Sequence, residues 1–576
     1  MIILFLIVLS VDGHELFQTD DPRDLEIIVR DLEYLMLRPV DINTAGLEEL
    51  GAIPYFTVSD CMRIIEYRQA HGPYHSLDDL KNIPGIDNMF IERIRSYVTV
   101  GRKSLEFKKF SMRMRGTTDI PSEQAVHEYY TRSEVYLGGY HVYFLTERDP
   151  LEDNLFDYYA GGILHTDGGR SFVLGKYNLD FGSGVALSPL GSFFQTVDFR
   201  VLTKERGVLP YTSVNENSGF FGAALSDTSV IGYTLFYSNQ DMDGTVDSAG
   251  NATSFYLSGD HVDSLTEAKK DRINEEIIGY NVTYRQPQWE IANRTYWCSY
   301  TPGFVCDDSS AKFYGSRFWL TSVGLKYNDE LMVMFAECAR SFRNRVGGVF
   351  GISGYYSILD VNLAAKYFPA GFYSPKGIEA RDDYVGGQLA VDGHLPIADI
   401  GFLFTLDDAT DEDPQRYGVQ VSVERSLGIA YAKLQLRWRF TEDESQRSGS
   451  RVFFRVKPFR VFFFDVRLED KYVYEDGVLE RGLFGALECG LDFRRWDLRV
   501  RFGHFDTDSY ASRIYAYEID LPGIINNRML YYSGYYGFLY LSAKPIDGLK
   551  FSIKYSLRDQ EAALEKHIGV QLDITL

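Results

Sequence analysis

Lys550-Phe-Ser-Ile-Lys-Tyr-Ser-Leu557 alternates polar and apolar side chains without a break. A period of two puts one set of side chains on each face of an extended strand. The pattern returns in Lys433-Leu-Gln-Leu-Arg-Trp-Arg-Phe440, in Arg495-Trp-Asp-Leu-Arg-Val-Arg-Phe502 and from Phe462 to Glu469. One face is rich in Arg, Lys, Asp and Glu, and the other is aromatic or β-branched. A barrel with a wet lumen and a lipid-facing exterior needs this inversion, whereas a soluble sandwich or propeller does not. Turn signals at Asp392-Gly393, Asp476-Gly477 and Asp547-Gly548 divide the runs into hairpins. The reading is an all-β transmembrane barrel over 104–576, with roughly 22 to 26 antiparallel strands and an even number if the rule for bacterial single-chain barrels holds.

Composition agrees. Aromatic residues make up 15% of the chain, with Tyr 41 and Phe 40 against Trp 5. A barrel uses such residues both as lipid-facing bulk and as interfacial girdles. The mean hydropathy of -0.20 does not oppose this, since alternating strands hide their apolar faces from any window average. The chain has 81 acidic and 59 basic residues and a net charge of -22, so it is not a globally basic nucleic-acid binder. Five cysteines are too few for a disulfide framework. Cys298 and Cys306 bracket a loop-like stretch and are the one plausible pair, with two unrelated buried thiols as the alternative. The apolar block Ile2 to Leu9, followed by Val11-Asp12-Gly13, reads as a signal peptide over 1–13, although no basic residue precedes it.

Before the barrel the periodicity is helical. Residues 20–37 read as a helix, with Asp20 or Asp21 as cap and Pro22 in the first turn. From Pro39 to Val100 two unequal halves follow. The first holds Asp41-Ile-Asn-Thr-Ala45, Ile53-Pro54 and Ile64-Ile-Glu-Tyr-Arg68; the second holds Ser76-Leu-Asp-Asp-Leu80, Ile83-Pro-Gly-Ile86 and Ile91-Glu-Arg-Ile94. Each half is helix, turn, helix. Asn43 or Thr44 can cap the first half, and Ser76 with Asp79 makes an approximate capping box in the second. His71-Gly-Pro-Tyr74 is the connector.

These residues resemble the ComEA-type tandem helix-hairpin-helix module, which places a small all-α domain at 20–103. The resemblance implies DNA binding without sequence specificity and a role like DNA uptake. A wider resemblance is to a bacterial outer-membrane family that fuses this module to a barrel. It rests on Gly175-Lys-Tyr-Asn-Leu-Asp-Phe-Gly182, Arg206-Gly-Val-Leu-Pro-Tyr-Thr-Ser213, Glu216-Asn217 and Glu337-Cys-Ala-Arg-Ser341. The alternating end of the chain, from His567 to Leu576, is similar to the assembly signal of outer-membrane barrels, but it closes on Leu576 where that signal has an aromatic residue.

In DNA-binding hairpins a Gly-hydrophobic-Gly turn at a helix N-terminus brings backbone N–H groups to phosphate oxygens. Here the first turn, Tyr55-Phe56-Thr57, has no glycine. The second keeps Gly85 and Ile86 but has Asp87 at the second glycine. The candidate DNA contacts are therefore Lys81, Gly85, Ile86, Arg93 and Arg95. Basic and acidic residues nearly balance between Arg38 and Lys103, which weakens the attraction to phosphate. The basic run Arg102-Lys103, Lys108-Lys109, Arg113 and Arg115 either guides a polyanion or lines a hydrated wall. The segment 189–217 lacks sustained alternation and reads as a constriction loop or a surface loop.

The sequence shows no nucleophile elbow, zincin motif or P-loop, so no catalytic residue, cofactor or metal ligand is expected. The acidic run from Asp407 to Asp413 reads as a solvated loop ahead of a calcium site. The expected partners are double-stranded DNA, the lipid bilayer of the outer membrane, its assembly machinery and a periplasmic protein. The module is expected below the barrel mouth, in the periplasm. The alternative reading is a non-catalytic solute channel or assembly protein whose hairpins contact periplasmic protein.

Overall fold

The computed structural model describes Leu35, most of residues 39–101 and most of the chain from Lys108 onward. The longest stretches outside the description after that point are 121–126, 150–156, 189–205, 306–312 and 378–383. The expected signal peptide and most of the expected helix at 20–37 also lie outside the described residues.

The chain from Lys108 to Thr575 forms a closed antiparallel barrel of 24 strands, inside the range read from the turn signals. Each strand pairs with its sequence neighbour until the ring shuts where Lys108–Ile120 meets Ala563–Thr575, with Ser111 opposite Thr575 and Ile120 opposite Lys566. Three short strands, Gly207–Pro210, Gly244–Val246 and Ala252–Phe255, branch from the rim.

Burial follows the inversion read from the sequence. In the strand Trp496–Thr507, Asp497, Arg499 and Arg501 are buried, while Val500 is 45% and Phe502 57% exposed. All five tryptophans, Trp289, Trp297, Trp319, Trp438 and Trp496, are exposed. Apolar side chains facing out and charged ones facing in are what a membrane-spanning barrel requires. Inside, charges meet across the ladder. Arg451 Nε donates to Glu469 Oε2 at 2.8 Å, Arg455 Nε to Asp465 Oδ1 at 2.6 Å and Arg501 Nε to Glu488 Oε2 at 2.7 Å, each between directly opposed residues. Such pairs roughly offset their desolvation cost, so they settle the wall's charge more than they add stability.

Two of the three turn signals hold. Asp476 (φ 53°) and Gly477 (φ 77°) make a turn with two left-handed residues, and Gly548 (φ 85°) sits in another. Asp392-Gly393 does not turn. Both residues lie within the strand Tyr384–Leu395, and the chain reverses at Pro396-Ile397. Proline's fixed φ suits the first corner of a turn and wins over the Asp-Gly signal.

The two ends of the barrel differ. At the end where the first strand starts and the last one finishes, connections are as short as 428–429, 494–495 and 547–548; at the far end they include 181–219, 243–272 and 508–532. Far-end segments fold into the lumen. The hairpin Ile514–Glu518/Asn526–Leu530 lies against the inner wall, where Ile514, Ala516 and Leu530 pack on Phe484, Phe505 and Tyr536. Lys554 Nζ donates to Glu518 Oε1 at 2.8 Å and to Asp520 Oδ2 at 2.6 Å, and Arg528 Nε donates to Glu518 Oε1 at 3.0 Å. The described flanks of 189–205 also turn inward. Val185, Ala186, Leu187 and Tyr211 are buried in the main cluster, and the Ser183 N–H donates to Glu337 Oε2 at 2.8 Å. In the described part of 189–217, Val208, Leu209, Tyr211, Ser213 and Asn217 are buried and Val214 and Asn215 are exposed.

Candidate nucleic-acid interface

The N-terminal domain is held by a parallel clasp of Val40–Asp41 on Val98–Thr99. Between them come the α-helix Val58–His71 and the 3-10 helix Leu77–Asn82. Ile42, Leu50, Ile53, Ile64, Leu80, Ile83, Ile91 and Ile94 form its core, and each such side chain contributes about 1.5–3 kcal/mol by leaving water.

The polar residues of the motif mostly hold backbone in place. Tyr74 N–H donates to Asn43 Oδ1 at 2.8 Å, and Asn43 Nδ2 donates to the Tyr74 carbonyl at 3.0 Å, so Asn43 ties the opening turn to the connector. Tyr74 Oη donates to the Ile64 carbonyl at 2.8 Å. Arg68 donates to the carbonyls of Ile42 and Ala45, both at 2.7 Å. Ser76 and Asp79 form the expected capping box. The N–H groups of His75 and Ser76, donating at 2.7 and 3.0 Å, hold the Asp79 carboxyl below the usual range.

Of the five candidate DNA contacts, Gly85 and Arg93 lie outside the described residues. Lys81 is exposed beside Asp78 at 2.7 Å. Arg95 is half-buried, one turn beyond Ile91. Ile86 is buried in the core, and its N–H donates to the Ile83 carbonyl at 3.2 Å. Lys81 and Arg95 therefore reach the surface of the second half, while Ile86 shapes the turn from beneath. Arg63 pairs with Asp60. In the basic run after the domain, Arg113 Nε donates to Asp573 Oδ1 at 2.7 Å and Arg115 lies 3.8 Å from Glu128, as the lining of a hydrated wall would.

The domain does not hang clear of the barrel. Tyr517, on the inward hairpin, packs against the domain's core, and the helix Val58–His71 comes within 8 Å, Cα to Cα, of the strand Val346–Tyr356 well round the ring. That strand turns Gly347, Val349, Gly351 and Ser353 to the buried side, leaving room for a close neighbour. The domain expected below the mouth therefore touches both the inward hairpin and the barrel wall. A ring of this size encloses a space that large barrels fill with a plug.

Beside the hairpin the wall is basic. Arg439 stands directly opposite Arg447, Arg416 is the diagonal neighbour on the next strand, and Arg513 of the hairpin segment and Glu475 lie within electrostatic reach of Arg447. Like charges directly opposed on a sheet cost stability unless an anion shares them. In the sequence these arginines sit in four separate segments, and only the register brings them together. Cys298 is a buried thiol without a disulfide partner, and Cys306 lies outside the described residues. Asp407 accepts from Tyr384 Oη, and Asp408 Oδ2 accepts from Gln415 at 2.7 Å.

Residues 37–99 match the family model described as the helix-hairpin-helix motif. Over 61 residues, 11% of this chain and 30% of the relative, the chain is 39% identical to ComE operon protein 1 of Bacillus subtilis. Over 63 residues, 11% of each protein, it is 38% identical to endonuclease/exonuclease/phosphatase family domain-containing protein 1 of Mus musculus. The match thus spans a small part of the length of these curated relatives. Among solved structures, the translocation pore of the P pilus usher PapC aligns with 81% of this chain and 99% of its own, at 7% identity and a TM-score of 0.35. OccK2 of Pseudomonas aeruginosa aligns with 81% and 97%, at 10% identity and a TM-score of 0.30. The barrel itself is defined by this chain's own strand ladder.

Proposed function

We propose that this protein is an outer-membrane pore for a polyanion, DNA above all, and that its helix-hairpin-helix domain receives the polymer inside the lumen. The short-turn end of the barrel faces the periplasm and the long loops face outward, as is usual for such barrels. The domain contacts DNA without sequence preference through Lys81, Arg95 and Arg93 and through the backbone around Gly85 and Ile86. The protein carries out no chemical step of its own. The observation that carries this reading is the packing of the domain's core on Tyr517, on the hairpin segment that also supplies Arg513 to the arginine group. A domain of a type that engages nucleic acid thereby shares the lumen with a concentration of positive charge, although the protein as a whole is acidic.

A second reading has its own support. Arg68 and Arg63 are engaged within the domain, Lys81 has Asp78 beside it, and the Ile86 N–H is already donated. A domain so self-contained suits a plug that contacts protein in a solute channel.

The two readings separate in a titration of double-stranded DNA against the full chain in detergent over a range of salt. DNA reception predicts salt-sensitive binding, with a log-log slope that falls by about one for each cation withdrawn from a phosphate. The paired changes Lys81→Glu with Arg95→Glu, and Arg439→Glu with Arg447→Glu, should each flatten it. No binding at low salt, or a slope that neither pair alters, would leave the protein-contacting plug.

A further inference from the structure

The far-end loops hold a group of side chains that the polyanion path does not use. Glu216 precedes the strand Phe220–Asp227, Asp243 follows the strand Ile231–Met242, and His261 lies just before the short helix Ser264–Glu267. One ligand atom from each comes within 4.8 Å of the others. The His261 side chain is fully buried, and its Nε2 lies 3.1 Å from Asp243 Oδ2 and 3.6 Å from Glu216 Oε2. A metal ion about 2.1 Å from each donor holds neighbouring donors roughly 3.0 Å apart in an octahedron and roughly 3.4 Å apart in a tetrahedron. The two spacings from His261, 3.1 and 3.6 Å, lie within about 0.2 Å of one or the other of these values, and the third donor pair lies within 4.8 Å.

The surrounding hydrogen bonds point the same way. His261 Nδ1 lies 3.1 Å from the Thr266 carbonyl. A carbonyl accepts and cannot donate, so Nδ1 carries a proton. In a neutral ring Nε2 would then aim a lone pair at two carboxylates. Only a second proton or a cation removes that repulsion. Asp243 is held in turn, because Asn217 Nδ2 donates to its Oδ2 at 2.9 Å and the Asp271 N–H donates to its Oδ1 at 2.9 Å. A ring N–H on a backbone carbonyl and a carboxylate fixed by amides are the outer support that metal ligands ordinarily receive.

We infer that Glu216, Asp243 and His261 bind a divalent metal ion of the zinc class and so staple two far-end loops to each other. One imidazole nitrogen with two carboxylate oxygens suits zinc better than calcium, which takes oxygen alone. Where the ring is doubly protonated before binding, the ion replaces the Nε2 proton, which leaves to solvent.

The test is zinc binding by the full chain in detergent after stripping with chelator, with bound metal counted and affinity measured by chelator competition. The expected result is one tightly held Zn2+ per chain, lost in Asp243→Asn and in His261→Gln. Asn217→Ala, which keeps all three ligands, should weaken binding about tenfold or more. Because the ligand variants can disturb the loops, cobalt substitution of the unaltered chain gives a second readout, the visible absorption of Co2+ held by nitrogen and oxygen. Uptake by the unaltered chain no greater than by His261→Gln, or a cobalt spectrum like that of the free ion, would overturn the inference.

Discussion

Asn43 does more for the hairpin domain than a turn residue usually does, because its amide satisfies both the N–H and the carbonyl of Tyr74. Asn43→Ala leaves those two groups without these partners, at a cost of about 1–3 kcal/mol. Hydrogen exchange on the full chain should show faster amide exchange across Val58–Asn82, and unchanged exchange would mean that the tie is dispensable. Asp79 sets a pH dependence. Its folded carboxyl is held low by the His75 and Ser76 N–H groups, so its contribution is present above the ordinary carboxylate range of about 4 and is lost as pH falls through the lower folded value. The protection of the Ser76 amide, measured against its intrinsic exchange rate at each pH, should therefore fall with acidification in the unaltered protein and lose that dependence in Asp79→Asn. The capping box was legible in the sequence because it is local. The duties of Asn43 and Arg68 were not, since their partners lie 31 and 26 residues away. Ile86 shows the reverse: its place in the turn was readable, but whether its N–H was already in use was not.

At the scale of elements, period two was enough to read the barrel strands, since lipid and lumen impose opposite chemistry on alternate side chains. The inward hairpin escaped that reading because Ile514–Glu518 alternates like any wall strand, with Ile514, Ala516 and Glu518 buried and Tyr515 and Tyr517 on the other face. Its packing on Phe484, Phe505 and Tyr536 and its ion pairs with Lys554 show which wall it lies on. Glu518→Ala removes an acceptor shared by Lys554 of the wall and Arg528 of the hairpin itself. Lys554 keeps Asp520 and Arg528 keeps Ser556, so the loss is about 1.5–3 kcal/mol, that of a hydrogen bond to a charged group. Protease added from the long-loop side should then cut within 508–532 much faster than in the unaltered protein. Equal cutting would mean that apolar packing and the remaining polar contacts, Lys554 with Asp520 and Arg467 with the Tyr515 carbonyl, hold the hairpin without Glu518.

For the whole molecule, the contact between the domain and Tyr517 was beyond sequence reading, because it joins surfaces more than four hundred residues apart with no shared pattern. It makes a prediction about flow. In planar bilayers the intact chain should show small conductance, a chain lacking residues 1–103 should show larger steps, and Tyr517→Ala should open more often than the unaltered chain. Equal conductance with and without the domain would mean that it does not fill the lumen. The strand ladder also bears on how the molecule is made. All neighbouring strands are linked by a turn or loop except Lys108–Ile120 and Ala563–Thr575, which are joined side by side. The helical domain is tethered to the first of these two. That tether lies at the short-turn mouth, so the strand that closes the seam is also the strand that carries the domain, and the ring's door and its passenger hang on the same hinge.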